Sequence, residues 1–327
     1  MTKKIGFIGC GSVVQKNYLM AFQKLRKFDN EFLFFDLNNN SALLMAEKFK
    51  GQAANNQQDL ISKSDIIIVA TPPSTHFEIV SEALKNGKEV LCEKPFMCTS
   101  SEASEILSLQ KKYNKKLYVG HFRRTFAHVL KANELVKTGV LGDVKKIRLF
   151  EGGRFNWVAE SNYITKDLYG GVLFDTGSHT FDTALFISNL DKTKILKLDN
   201  MLVKKDENEP SHEIKGNFNL TTEDGNKIDF EFMLSRFKVL SNKIEIICDN
   251  GKLIISTGLN SKIILEGRGI SSCIVAENSF DDYMDYFAKQ IEEILLAGEK
   301  SDKFCADRFY NLTFILESIA KTNGVEK

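Results

Sequence analysis

Lys94, Asp175 and His179 are side chains of types that together could move a proton on and off a hydroxyl group. An imidazole titrates near neutral pH and can take the hydroxyl proton. A carboxylate four residues earlier shares its face if the segment is helical, and could orient the base or bind a second hydroxyl. An ammonium beside the reacting oxygen would favour an alkoxide-like transition state. With a dinucleotide nearby, these are the groups that hydride transfer from a secondary alcohol asks for. Each also has a plain reading. A histidine on an amphipathic helix often only packs, and Lys94-Pro95 can be a solvated turn. Asp175 can be a helix N-cap, and Asp182 a helix-surface acid. The residue types permit the chemistry without requiring it.

A dinucleotide has a place to bind. Lys3 to Val14 is a short apolar run that stops at Gly9-Cys10-Gly11 and continues at helical spacing through Val14, Tyr18, Phe22 and Leu25. Gly9 would allow a tight turn, and Gly11 would let a pyrophosphate approach the N-terminus of the following helix, with Ser12 and Val13 beside it. Val14 stands where the fingerprint has a third small residue. A second apolar run, Glu31 to Phe35, ends in Asp36, an acid placed to accept hydrogen bonds from the adenosine ribose of NAD. It would repel a 2′-phosphate, and no Arg or Lys follows in Leu37-Asn38-Asn39-Asn40, so NAD is expected rather than NADP. The bland alternative is a βαβ unit with a glycine turn and a surface aspartate.

The elements that would carry these residues alternate. Runs at 65–70, 89–92 and 116–119 read as buried strands, separated by helical patterns. The first ends in Thr71-Pro72-Pro73-Ser74-Thr75-His76, a loop expected to face the cofactor, and the second in Glu93-Lys94-Pro95. Thr99 to Glu102 has capping-box spacing, and Gly87 is a helix stop. Five strands over residues 1–122 predict a doubly wound parallel sheet of the Rossmann type. From about 125 the texture changes. A helix over 125–138, a long strand at 144–151 and a Gly-Gly turn with a helix over 170–187 precede strand-like runs at 195–204, 212–220, 227–234, 243–248, 252–255 and 262–265. Turns such as Asp249-Asn250-Gly251 read as hairpins. The second domain, 123–327, is therefore expected to be a mainly antiparallel open sheet with helices on one face, α+β beside α/β. Two amphipathic helices close the chain.

Composition narrows the class. A formal net charge of +1 over 327 residues gives no reason to expect a nucleic-acid or anionic-membrane partner. Six scattered cysteines, without a CxxC pair or a histidine at ligand spacing, suit reduced thiols better than disulfides or a metal site. The N-terminus runs directly into the first strand and no stretch reaches membrane-spanning length, so a soluble cytoplasmic protein is the expectation.

In this order, Gly9-Cys10-Gly11, Ala70-Thr71-Pro72-Pro73 with His76, Glu93-Lys94-Pro95, and Gly170-Gly171 leading to Asp175-Thr176-Gly177-Ser178-His179 make a sequence that resembles the Gfo/Idh/MocA family of NAD(P)-dependent oxidoreductases over essentially its whole length. The Glu-Lys-Pro triplet with a downstream Asp-x-x-x-His is the specific part. The resemblance implies catalytic roles for Lys94, Asp175 and His179, and cofactor contacts from Gly9, Gly11, Ser12, Val13, Asp36, Thr71, Pro72, His76, Glu93 and Lys94, although His76 could instead cap the helix after the Pro-Pro turn. Arg123 resembles a family position near the substrate, although Arg123 and Arg124 could equally be surface charges. Arg154 and the single tryptophan, Trp157, could line a sugar or nucleotide pocket or pack on their own loop. His121, His128 and His212 have no assignable partner.

The expected activity is hydride transfer between NAD and a secondary alcohol or ketone of a sugar, polyol or nucleotide sugar, with the amine of Lys94 and the imidazole of His179 converging on one oxygen. Two alternatives remain open: an NAD-using glycosidase of the same fold with no net redox change, and a non-catalytic NAD-binding protein. An uncovered sheet face would call for a homo-oligomer, a dimer or tetramer.

Overall fold

The computed structural model describes residues 3–25, 31–154, 169–208, 211–260, 262–267, 269–277, 280, 282–296 and 298–322. They divide into two compact units: residues 3–122 with 283–310, and residues 123–154, 169–282 and 311–322.

The first unit is built on a six-stranded parallel sheet, β1 (Lys4–Ile8), β2 (Glu31–Phe35), β3 (Gln52–Ala53), β4 (Ile66–Val69), β5 (Glu89–Glu93) and β6 (Leu117–Gly120), in the order β3-β2-β1-β4-β5-β6. This is the doubly wound order, reversing between β1 and β4, where ligands bind at the strands' carboxyl ends. The runs are apolar because both faces are covered; all four residues of β4 are buried. Two-residue β3 is the strand that the five-strand expectation lacked, being too short to carry an apolar run.

Local chemistry sets the ends of the helices α1 (Leu19–Lys24), α2 (Asn39–Phe49), α3 (Gln57–Lys63), α4 (His76–Lys85) and α5 (Ser100–Tyr113). Asn38 and Asn56 cap α2 and α3 through their side-chain oxygens, and Thr99 with Glu102 forms the expected capping box on α5. Gly87 closes α4 at φ +72°. The helix expected over 13–26 is divided: a π turn, Val14–Tyr18, precedes α1. A π turn is wider than an α turn, and it opens with bulky Val14 where a small residue is usual. The core is aromatic. Phe7 stacks on Phe34 at 5.1 Å, with Phe22, Phe32 and Phe49 around them, and Phe287 of the helix Tyr283–Leu296 meets Tyr18 edge-on at 5.0 Å.

The second unit holds α6 (Ala127–Lys137), α7 (Ser178–Ile187) and an eight-stranded sheet: β7 (Val144–Gly152), β8 (Ile195–Lys205), β9 (Glu213–Thr222), β10 (Lys227–Ser235), β11 (Lys243–Cys248), β12 (Gly251–Ser256), β13 (Lys262–Gly267) and β14 (Ile270–Val275). The order is β14-β13-β12-β11-β7-β10-β9-β8, antiparallel except for β7 beside β10. Edge strand β14 was not expected, since Ser271-Ser272-Cys273 interrupts its apolar pattern. Alternation is clean along β10, whose Ile228, Phe230, Phe232 and Leu234 are buried. Phe181 of α7 meets Phe232 at 5.3 Å, and Phe218 stacks on Phe230 at 4.7 Å. The opposite face bears ion pairs across strands: Lys146 and Arg148 to Glu231 at 3.1 and 3.0 Å, and Lys252 to Glu266 at 2.8 Å.

Candidate functional site

At the end of β1 the chain turns through Gly9 at φ +92°, and the amide of Gly9 donates to the Phe35 carbonyl at 2.9 Å. A Cβ on Gly9 would lie 2.6 Å from the Ala70 carbonyl oxygen, whereas a Cβ on Gly11 would meet nothing within 4 Å. The two glycines therefore do different work. The first permits the turn, and the second leaves an open approach to the backbone where a Cβ would otherwise stand. Asp36, half-buried at the tip of β2, accepts the amide of Cys10 at 2.7 Å and that of Asn38 at 2.8 Å. Its carboxylate is thus fixed against the glycine turn with lone pairs left over for hydroxyl donors. Ser12 and Val13 are half-buried ahead of the π turn. An open cradle beside an oriented acid fits a dinucleotide.

Beyond β4, Thr71 and Pro72 are half-buried, and Pro73 begins a 3₁₀ turn that runs directly into α4. His76, fully buried, joins two loops: Nε2 lies 3.0 Å from the Thr71 carbonyl oxygen and Nδ1 3.0 Å from that of Pro95. Burial with both ring nitrogens on main-chain carbonyls makes His76 a clasp between the 71–76 and 93–96 segments. Glu93 ends β5 with its side chain turned inward. It accepts a hydrogen bond from the Tyr18 hydroxyl at 2.7 Å, and Gly120 of β6, its register partner, leaves 3.1 Å between a would-be Cβ and Oε1. Burial raises the carboxyl above its ordinary range, against the pull of the Tyr18 hydrogen bond and the Lys94 charge. Lys94 follows half-buried, its amide 3.3 Å from Glu93 Oε2.

In the second unit Asp175 lies in a second π turn, Leu173–Gly177, immediately ahead of α7, whose second residue is half-buried His179. Asp175 is paired with an arginine that no motif singles out: Arg236, past the end of β10, donates to Asp175 Oδ2 at 3.0 Å and to the Gly170 carbonyl at 2.9 Å. Arg123 is held bidentately by Glu151 at 2.9 and 2.7 Å, and the Thr180 hydroxyl, next to His179, donates to the same carboxylate. Neither Arg123 nor Arg124 is a surface charge. Arg124 is fully buried between Asp182, at 2.6 Å, and Asp191, at 3.1 Å, so Asp182 is a buried ion-pair partner rather than a surface acid. Arg154 is exposed, and Trp157 lies outside the described residues. His121 stacks on Phe309 at 4.9 Å, His128 Nε2 meets the Ser256 carbonyl at 3.2 Å, and His212 packs near Phe237.

Among the described residues no cluster of three or more His, Cys, Asp or Glu is arranged to hold a metal, and no helix is long and apolar enough to cross a membrane. The six cysteines are free thiols. Tyr18, Glu151, Thr180 and Arg236 are the site neighbours that sequence reasoning missed. Tyr18 carried only an apolar-stripe signal, and the others had none.

Residues 3–121 match a family model described as the oxidoreductase family with an NAD-binding Rossmann fold, and residues 129–254 match one described as the GFO/IDH/MocA C-terminal domain. Glucose-6-phosphate 3-dehydrogenase of Bacillus subtilis is 26% identical over 196 residues, 58% of this chain and 55% of its own length. Oxidoreductase P35 of Formosa agariphila is 30% identical over 188 residues, 54% of this chain and 58% of its own. The chain thus spans little more than half the length of these two relatives. A solved levoglucosan dehydrogenase, in complex with NADH and levoglucosan, has the same fold at a TM-score of 0.77 and 14% identity, covering 98% of this chain and 97% of that one. With both family models matched in sequence order on a doubly wound domain followed by an open antiparallel sheet, the chain belongs to the Gfo/Idh/MocA family of oxidoreductases.

Proposed function

We propose that the protein is an NAD-dependent dehydrogenase acting on a secondary alcohol or ketone of a sugar, polyol or nucleotide sugar. The observation that carries this reading is the pairing of Gly11, open where a Cβ would stand, with Asp36, oriented by the amides of Cys10 and Asn38. Residues 1–122 would then hold the dinucleotide, and residues 123–327 the substrate. Asp36 favours NAD over NADP because its carboxylate offers acceptors to ribose hydroxyls and repels a phosphate. Thr71, Pro72 and His76 shape the loop on the cofactor side, with Ser12 and Val13 at the start of the helix.

When bound, the nicotinamide supplies the hydride acceptor or donor. The chain's own residues supply the rest. His179 takes the hydroxyl proton during oxidation and returns it during reduction. Asp175, itself fixed by Arg236, orients that imidazole or receives a neighbouring substrate hydroxyl. Lys94 donates to the reacting oxygen and favours its alkoxide character. Arg123, anchored by Glu151, faces the substrate, and Arg154 contributes a cation. The sugar assignment draws support from relatives named for sugar substrates.

The mixed face of the eight-stranded sheet, where half-buried Phe150 and Met233 alternate with ion pairs, supports a homo-oligomer, and the free thiols suit a cytoplasmic setting. Light scattering at micromolar concentration tests the first point, a dimer or tetramer being expected. The activity is tested by thermal shift with NAD⁺ and NADP⁺, followed by NADH formation against a panel of sugars, sugar phosphates and nucleotide sugars. Stabilisation by NAD⁺ and net NADH from one sugar class are expected. Aglycone release without NADH would replace this reading with the glycosidase, and binding without turnover of any panel member with the non-catalytic one.

A further inference from the structure

The Tyr18–Glu93 hydrogen bond joins two segments that the proposed chemistry uses for separate purposes. Tyr18 ends the π turn that follows the glycine loop, and Glu93 ends β5, one residue before Lys94. Tyr18 is fully buried and Glu93 is 8% exposed, so their 2.7 Å hydrogen bond is formed out of water. Two features show that the place is made for a carboxylate. Gly120, opposite on β6, carries no Cβ, and one there would stand 3.1 Å from Oε1. The ring of Tyr18 is locked by Phe7 at 5.5 Å and Phe287 at 5.0 Å, which aims the hydroxyl. The groups facing Glu93 are the Tyr18 phenol, the Cys92 thiol on its own strand and the Lys94 ammonium. Burial holds the phenol and the thiol far above their ordinary values, so both stay neutral at physiological pH. Of these three acids, Glu93 is left as the one whose charge can change there.

A carboxylate buried beside Lys94 acts through a low effective dielectric, so its charge carries further than a surface charge would. Oxidised nicotinamide is a cation and reduced nicotinamide is neutral. A fixed negative charge at the cofactor end of β5 therefore distinguishes the two forms. We propose that Glu93, held by Tyr18, sets the preference of the site for the oxidised over the reduced dinucleotide, with Tyr18 as its positioning residue. This rests on the NAD reading above and adds to it a specificity role for a side chain that faces the protein interior.

The experiment is equilibrium binding of NAD⁺ and of NADH to the wild type, Glu93→Gln and Tyr18→Phe between pH 5 and pH 9, with no substrate present. In the wild type the preference for NAD⁺ should rise with pH as Glu93 ionises. In Glu93→Gln it should fall by roughly tenfold at high pH, and the rise with pH should be lost. Tyr18→Phe keeps the ring packing and removes the hydrogen bond that favours the anion. Its transition should move to higher pH, which a merely structural defect would not produce. Should Glu93→Gln fail to fold, this shift in Tyr18→Phe decides the matter. A Glu93→Gln protein with the wild-type ratio and pH profile, or a Tyr18→Phe protein with an unmoved transition, would overturn the inference while leaving the cofactor reading intact. Wild-type protein binding neither nucleotide would overturn both.

Discussion

Arg236 and Asp175, 61 residues apart in sequence, form an ion pair at 3.0 Å in which the guanidinium is 3% exposed and the carboxylate 21%. The same guanidinium nitrogen is 2.9 Å from the Gly170 carbonyl, so one side chain fixes both the Gly-Gly turn and the π turn that lead into α7. An ion pair this far from water is costly to break from one side, because the partner charge is left behind.

Arg236→Gln should therefore lower both stability and turnover. The destabilisation should be about 2 kcal/mol, below the ~3–5 kcal/mol of a fully buried pair because Asp175 keeps some water. Turnover should fall by roughly 10- to 100-fold with NAD⁺ affinity retained. Arg236→Lys should recover part of both losses. Thermal melting and steady-state kinetics with the substrate found by the panel check this.

Gly9 and Gly11 should respond oppositely to alanine. Gly9→Ala puts a Cβ at φ +92° and 2.6 Å from the Ala70 carbonyl oxygen, so it should destabilise the fold by about 2–4 kcal/mol. Gly11→Ala meets no protein atom within 4 Å, so melting should be unchanged while NAD⁺ affinity drops by about tenfold or more. Melting curves and NAD⁺ titrations of the two variants, side by side, separate the roles.

The parallel sheet was legible because its strands are buried on both faces and so read as continuous apolar runs ending at the glycines, at Asp36 and at Lys94. The antiparallel strands were legible from alternation and turn residues. What the sequence withheld falls into two kinds. Short or polar edges, β3 and β14, carry too little pattern. Pairings such as Tyr18–Glu93, Arg123–Glu151 and Arg236–Asp175 depend on a register that forms only when the sheets do. Residue type alone made Arg124 and Asp182 look like surface charges, since arginine and aspartate are rarely buried unless paired.

The buried triad of Arg124, Asp182 and Asp191 gives a stability prediction. Arg124→Met leaves two buried carboxylates without their cation and should cost about 3–5 kcal/mol. Replacing all three with Met, Leu and Leu should restore most of that, because apolar residues of similar volume need no partners. Comparing melting temperatures of the single and triple variants tests it; equal losses would contradict it.

His128 predicts acid sensitivity. Burial first, then the nearby Arg123 charge, push its pKa from 6.5 down to about 4, against the Ser256 carbonyl hydrogen bond that favours the proton. Below pH 6.5 the unfolded chain binds a proton that the folded chain refuses, so the contribution of the neutral ring is complete above that pH. It is lost as pH falls toward about 4, by about 3 kcal/mol in total. His128→Gln should flatten the melting temperature over this window relative to the wild type. An unchanged slope would show that His128 does not titrate there.

The most direct test of the proposed chemistry is single-turnover NADH formation by His179→Ala beside the wild type, with NAD⁺ binding measured on the same samples. If His179 is the base, hydride transfer should slow by about 10²- to 10⁴-fold while NAD⁺ affinity stays within about twofold. NADH formation at the wild-type rate in that variant would contradict the account.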